Sequence, residues 1–179
     1  MVRCFIGVLV PEEVKEEAEK VKKNLSNLEM KCKFVEGENL HICFSFLGET
    51  DENKISFITK TLDSICKDFL KFEVSLGGIK MIPSESYIRV LALDIIEKTG
   101  KLKNLTKVIQ EKVGGDSKPP HLTLCRVKSI KDKQSTAQKI REIKVETIDF
   151  TIPKIQLIKS ELRRGGPVYT PLHESSLML

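Results

Sequence analysis

The sequence predicts a fold of interleaved strands and helices, and two lobes around a cleft are a topological inference from their order. Two observations carry this. Strand-like and helix-like segments follow the order βαββαβ roughly twice over, with no low-complexity linker between them. Two strands then open alike, "HICFSFLGE" from His41 and "HLTLCRVK" from His121, in a chain with only three histidines. Each half of the chain holds one such strand, which hints at a duplication. Two similar lobes facing each other would bring both histidines to one cleft. The 179 residues are read as a single two-lobed domain, 1–179.

The elements follow in order. "RCFIGVLV" is a buried-type strand. Pro11, Glu12 and Glu13 suit a first helical turn. Val14, Ala18, Val21, Leu25 and Leu28 then form one helical face. "KCKFV" and "HICFSFLG" are strands joined by the turn-like "EGEN". A second helix is capped near Asp51, with Ile55, Ile58, Leu62 and Ile65 as its stripe. "KFEVSLGGIKMI" and "SYIRVLALDI" flank Pro83 and Ser84 as an antiparallel pair. A third helix carries Leu102, Leu105, Ile109 and Val113, and Gly114 with Gly115 ends it. After the strand "PPHLTLCRV" comes a helix with Ile130, Ala137, Ile140 and Ile143. "ETIDFTI", "KIQLIKSELR" and "PVYTPL" close the chain as strands.

Composition narrows the function. Apolar residues make up 40% and charged residues 31%, enough to bury a core without a staple. A net charge of +5 favours an anionic partner but falls short of a chromatin-type binder. Cys4, Cys32, Cys43, Cys66 and Cys125 are odd in number and lack CxxC spacing, which argues against a disulfide framework. Free thiols point to a reducing compartment, so a cytoplasmic protein is expected. The apolar N-terminal run lacks a cleavage site, and no stretch is long enough to span a membrane.

On a strand, residues i and i+2 share a face. His41, Cys43 and Ser45 are therefore expected on one face, with Ile42, Phe44 and Phe46 opposite. His121, Thr123 and Cys125 are expected to share a face, with Leu122 and Leu124 opposite. Each strand would bury an apolar face and present a polar row headed by histidine. An unperturbed imidazole titrates at roughly 6.5, so a pair can hold one base and one acid near neutral pH. On opposite sides of a phosphorus they suit in-line displacement: one takes a proton from water, the other gives one to the departing oxygen. Short hydroxyls beside them can hold the phosphate oxygens as charge builds. A cyclic phosphate at an RNA end can be opened this way with no cofactor.

These two motifs resemble the paired signatures of the 2H phosphoesterases. More specifically, the chain is similar to the RNA 2′,3′-cyclic phosphodiesterases once called 2′-5′ RNA ligases. The resemblance also takes in "RCFIGVLVPEEV" and "IQLIKSELRRGGPVYTPL", and so covers nearly the whole chain. It implies an α+β fold, a bilobal pseudo-symmetric pair of antiparallel sheets with helices outside and a central cleft. It implies hydrolysis of RNA 2′,3′-cyclic phosphate ends to 2′-phosphates, without metal or cofactor. The partner is RNA, tRNA fragments among the candidates, and the protein is expected to act as a monomer away from membranes. By analogy His41 is the proton donor to the departing O3′ and His121 the proton acceptor that activates water. Thr123 binds phosphate, and Cys43 stands where relatives carry threonine or serine.

Other residues are read with less support from the motifs. Arg126, Ser45 and Tyr169 are candidate substrate contacts, and Arg163 and Arg164 candidate RNA contacts. Lys101 to Lys128 holds seven basic and two acidic residues, among them Lys118, a patch that would guide phosphates if it lies near the cleft. Phe46 is read as a core residue and His173 as a surface or packing residue. A rival reading makes His41, Cys43, His121 and Cys125 zinc ligands, although histidine-x-cysteine on one strand is cramped for chelation. Two further alternatives are a non-catalytic RNA-end binder and reversible 2′-5′ ligation at the same site. No GxxxxGK[ST] loop is present, which disfavours an ATP-driven ligase.

Overall fold

A computed structural model describes all 179 residues. The chain runs β1 (Val2–Leu9), α1 (Glu12–Ser26), β2 (Met30–Phe34), a 3-10 turn (Gly37–Asn39), β3 (His41–Thr50) and α2 (Glu52–Cys66). It continues β4 (Phe72–Ser84), β5 (Tyr87–Ile96), α3 (Lys101–Lys112), β6 (His121–Ile130) and α4 (Lys133–Glu142). It ends β7 (Asp149–Ile152), β8 (Lys154–Arg163) and β9 (Gly166–Ser176). The expected helices form where their apolar stripes predict, and Val14, Ala18, Val21 and Leu25 are all buried along α1. Asp51 caps α2 by accepting from the Asn53 amide at 3.0 Å. Ile130 belongs to β6 rather than to α4.

The strands form two antiparallel lobes that meet edge to edge. One holds β3, β1, β8 and β9; the other holds β7, β4, β5 and β6, with β2 also on β6. The lobes join at a single paired position, Ile42 with Leu122, one residue after each motif histidine. That junction is what brings the histidines together. It is nearly symmetric. β2, which precedes β3, pairs with β6. The segment that precedes β6 pairs with β3, since Phe46 and Asp116 exchange backbone hydrogen bonds of 2.8 and 2.9 Å.

The lobes are not the halves of the chain. α1 follows a strand of the first lobe yet packs against β6 of the second. α3 follows a strand of the second lobe and packs against β3 and α2. β8 and β9 return from the second half to complete the first lobe. A duplication read as two consecutive halves is thus corrected to two interleaved lobes. One cluster of 36 buried residues spans both, so they share a core. Phe44 and Leu124 lie fully buried beneath the two motifs. Truncating Phe44 to alanine would cost about 3–5 kcal/mol.

Candidate active site

Both motif strands carry a β-bulge at the same place. In β3 the register steps from Gly7–Cys43 to Ile6–Ser45, leaving Phe44 unmatched. In β6 it steps from Ala92–Thr123 to Leu91–Cys125, leaving Leu124 unmatched. An extra residue reverses the alternation beyond it. Ile42, Phe44 and Ser45 are therefore all buried, as are Leu122, Leu124 and Cys125. His41, Cys43 and Phe46 take the open face of one strand; His121, Thr123 and Arg126 take that of the other.

The bulges correct several expectations. Ser45 is fully buried and donates its hydroxyl to the Gly114 carbonyl at 2.7 Å, so it does not face the cleft. Gly115 makes this approach possible: its φ is +97° and a Cβ there would meet Ser45 Oγ at 2.3 Å. Cys125 is likewise buried, and burial pushes its thiol pKa up. It lies on the opposite face from His121, so the four residues of the zinc reading do not come together, and no three potential ligands cluster anywhere else. Phe46 is not a core residue but 38% exposed, with the Arg3 guanidinium 5.2 Å over its ring.

Each imidazole is held in the same way. His41 Nδ1–H donates to the Asn39 carbonyl at 2.8 Å, and His121 Nδ1–H to the Pro119 carbonyl at 2.9 Å. A carbonyl only accepts, so in both rings Nδ1 carries a proton and Nε2 is left for chemistry. The residues across from the two small polar positions are themselves small, Gly7 opposite Cys43 and Ala92 opposite Thr123. A Cβ on Gly7 would strike the Ile42 carbonyl at 2.3 Å.

The surroundings of the two rings differ. His41 forms a cluster with Phe5 and Tyr169, with ring centroids 4.6 and 5.1 Å away. Burial lowers its pKa; the hydrogen bond to Asn39 opposes this, and repulsion from His121 adds to it. Cys43 is pushed up to about 11, chiefly by burial, so it stays a neutral S–H donor. Burial also raises the Tyr169 phenol, while the Arg126 and Arg3 charges pull it down. Both guanidiniums therefore act on the same part of the cleft.

The remaining predicted residues fall elsewhere. The α3 lysines are carried on a helix that packs against the buried side of β3, so the basic run is not one surface. Of that run, Arg126 and Lys128 are exposed on β6. Arg163 pairs with Glu161 at 3.6 Å, and Arg164 lies in the β8–β9 turn. His173 bonds Asp63 on α2 at 2.8 Å, as a packing residue would. Phe5, Arg3 and Asn39 were not singled out from sequence. Phe5 reads as one more apolar residue of a buried strand, and only the pairing of β1 with β3 places it beside His41.

A family model described as LigT like phosphoesterase matches residues 8–92 and 96–169. The chain belongs to this family. It is a phosphoesterase by that membership. Proteins named RNA 2′,3′-cyclic phosphodiesterase are similar over nearly their whole length. The one from Methanocaldococcus jannaschii is 34% identical, covering 96% of this chain and 99% of that protein. The one from Aquifex aeolicus is 32% identical, covering 97% and 96%. Among solved structures, E. coli LigT complexed with 3′-AMP superposes with a TM-score of 0.78 over 99% of both chains at 21% identity. TT0787 of Thermus thermophilus gives 0.77 at 24% identity over 98% and 97%. These structural likenesses establish the bilobal antiparallel α+β fold.

Proposed function

We propose that this protein hydrolyses the 2′,3′-cyclic phosphate end of RNA to a 2′-phosphate. The observation that carries the reading is the matched pair of imidazoles. Two bulged strands meet at Ile42 and Leu122, and each presents a histidine whose Nδ1 is occupied by a carbonyl two residues back. The names of the full-length relatives supply the substrate class.

In this reading water attacks phosphorus and gives its proton to His121 Nε2. The P–O3′ bond breaks, and His41 Nε2 protonates the departing O3′. Both rings then return to their starting states by exchange with solvent. Burial favours neutral His41 in the empty site, and an anionic phosphate beside it restores the protonated form that a donor needs. Thr123 and Cys43 hydrogen-bond the non-bridging oxygens, and Arg126 adds charge where it builds. Tyr169 and Phe46 offer ring faces to the terminal base. No step calls for a cofactor. The protein is proposed to act as a monomer in a reducing cytoplasm, consistent with five free cysteines.

The test is a short RNA ending in a 2′,3′-cyclic phosphate, incubated with the protein in EDTA. A 2′-phosphate product that disappears in His41→Ala and in His121→Ala supports the reading. Folded protein that binds the RNA end without turning it over supports an end-binding module instead. The shortfall of a Cys43 thiol as a donor would then be the first cause to examine. A 2′-5′ joined product from cleaved RNA ends would show the reverse direction at the same site.

A further inference from the structure

We propose that the open face of β2 and β6 is a track for the body of the RNA, the nucleotides on the 5′ side of the reacting end. This rests on the proposed hydrolysis of RNA ends. A cyclic phosphate closes the 3′ end, so the rest of the strand leaves the cleft in one direction only. The question is which lobe it crosses.

The register answers from the strands. Phe34 pairs with the buried Cys125, and Lys33 pairs with the exposed Arg126, so Lys33 shares the open face with Arg126. Lys31 pairs with Ser129, and Lys128 sits in the bulge between Lys31 and Cys32. Lys31, Lys33, Arg126 and Lys128 are all exposed. None of them is in an ion pair with a carboxylate. Neither strand contains an aspartate or glutamate. The Glu36 carboxylate stands at one end of the face, bordering Gly166 together with the Lys33 ammonium, without pairing to it. The other face is taken: α1 packs against β6, with Val127 buried beneath.

The first lobe offers no such run. Arg3 faces Glu49 across the β1–β3 register. Glu161 bonds both Lys159 at 3.1 Å and Arg163 at 3.6 Å. Lys154, Lys159 and Arg163 of that lobe are thus ion-paired and Arg3 lies over the Phe46 ring, while the four cations of β2 and β6 pair with no carboxylate. Cations without ion-pair partners, on two strands that carry no carboxylate, attract a polyanion and release its counterions. The strip is also continuous with the site, because it starts at Arg126, three residues after Thr123. Side chains two apart on a strand lie roughly 7 Å apart, and neighbouring strands about 5 Å. Four charges within that spacing suit successive backbone phosphates.

The test compares two RNAs that end in the 2′-phosphate product, an octanucleotide and a dinucleotide, by fluorescence anisotropy across a salt series. The variant is Lys31→Gln, Lys33→Gln and Lys128→Gln together, which leaves Arg126 in place. The octanucleotide is expected to lose roughly tenfold in affinity, and its log–log salt slope to fall by about 2. Its advantage over the dinucleotide should shrink accordingly, and the triple Lys→Arg variant should keep that advantage. An unchanged advantage, or an equal loss for both RNAs, overturns the track. Binding is measured on product, so this outcome is separate from the fate of the hydrolytic reading, which turnover of the cyclic end decides.

Discussion

The motif strands β3 and β6 share one plan and lie in unlike surroundings. Both run histidine, apolar, small polar, apolar, buried polar and then a large exposed residue: His41 to Phe46 and His121 to Arg126. Both are bulged at the fourth position and both hold the ring by a carbonyl two residues back. Across from His41 stands Leu9, with Phe5 and Tyr169 around the ring. Across from His121 stands Asp94, itself paired to Lys80 at 2.8 Å. One imidazole is desolvated, and the other lies in a polar, charged setting. The difference shows how a near-symmetric backbone can place two like residues in unlike surroundings. The strands fix where the imidazoles are, and the neighbouring strands decide what surrounds each.

The largest expected effect tests whether the two rings act together. His41→Ala and His121→Ala should each lower kcat/KM by about 10²- to 10⁴-fold. The double variant should be little worse than either single one, as for groups that act as a unit. Losses that multiply in full would mean that the two strands contribute independently. Next come the small polar residues. Thr123→Ala should cost roughly ten- to a hundredfold, which corresponds to about 1–3 kcal/mol. Cys43→Ala should cost less, because a thiol is the weaker donor. Cys43→Thr is expected to preserve or raise activity. A drop of more than tenfold with the fold intact would show that Cys43 does something a hydroxyl cannot.

The third effect concerns the covering of His41. Asn39 serves it twice: its carbonyl accepts from the ring, and its side chain donates to the Pro167 carbonyl at 2.8 Å, close to Tyr169 on β9. Tyr169→Ala should let water reach His41 and raise its pKa toward 6.5. The matching limb of the kcat/KM profile should then move to higher pH. Asn39→Ala, which only loosens the hairpin, should move it less, and Asn39→Gln should bring the profile part of the way back to that of the parent. A profile unmoved by Tyr169→Ala would dissociate the covering rings from the acid–base chemistry. The sign also bears on stability. Because the folded pKa is depressed, His41 favours folding above the unfolded value of roughly 6.5 and loses that contribution as pH falls through the folded value.

Much of this was legible in the sequence for a simple reason. Apolar stripes such as Ile58, Leu62 and Ile65 are buried because a helix with that spacing has one face to hide. The histidine pair was legible because both strands begin with the same residue types. The face of Ser45 was not, because strict alternation assumes an unbroken ladder. Nothing in "HICFSF" marks Phe44 as the inserted residue. The interleaving of lobes was also hidden: α1 reads equally well against either sheet, and only long-range packing puts it on β6. Asn39 and Phe5 acquire their roles from partners 128 and 36 residues away, Pro167 and His41. Local periodicity carries no trace of such partners.

The smallest expected effect lies on the outer side of the first lobe, away from the cleft. Asp63 on α2 accepts from Ser175 at 2.6 Å and from His173 at 2.8 Å, tying the helix to β9. Its pKa is lowered, first by the Ser175 hydroxyl and then by His173. A carboxylate with a depressed folded pKa stabilises above its unfolded value, about 3.9, and loses that contribution as pH falls through the folded value. Asp63 is 47% exposed, so solvent screens the interaction and the effect should be slight. Asp63→Asn should therefore lower the Tm at pH 7 by a few degrees at most, and the difference from the parent should vanish near pH 2. Activity on cyclic-phosphate RNA should be unaltered. A change in kcat/KM would mean that α2 communicates with the cleft through β9, which also carries Tyr169, and the first lobe would then have a second route to His41 that the second lobe lacks.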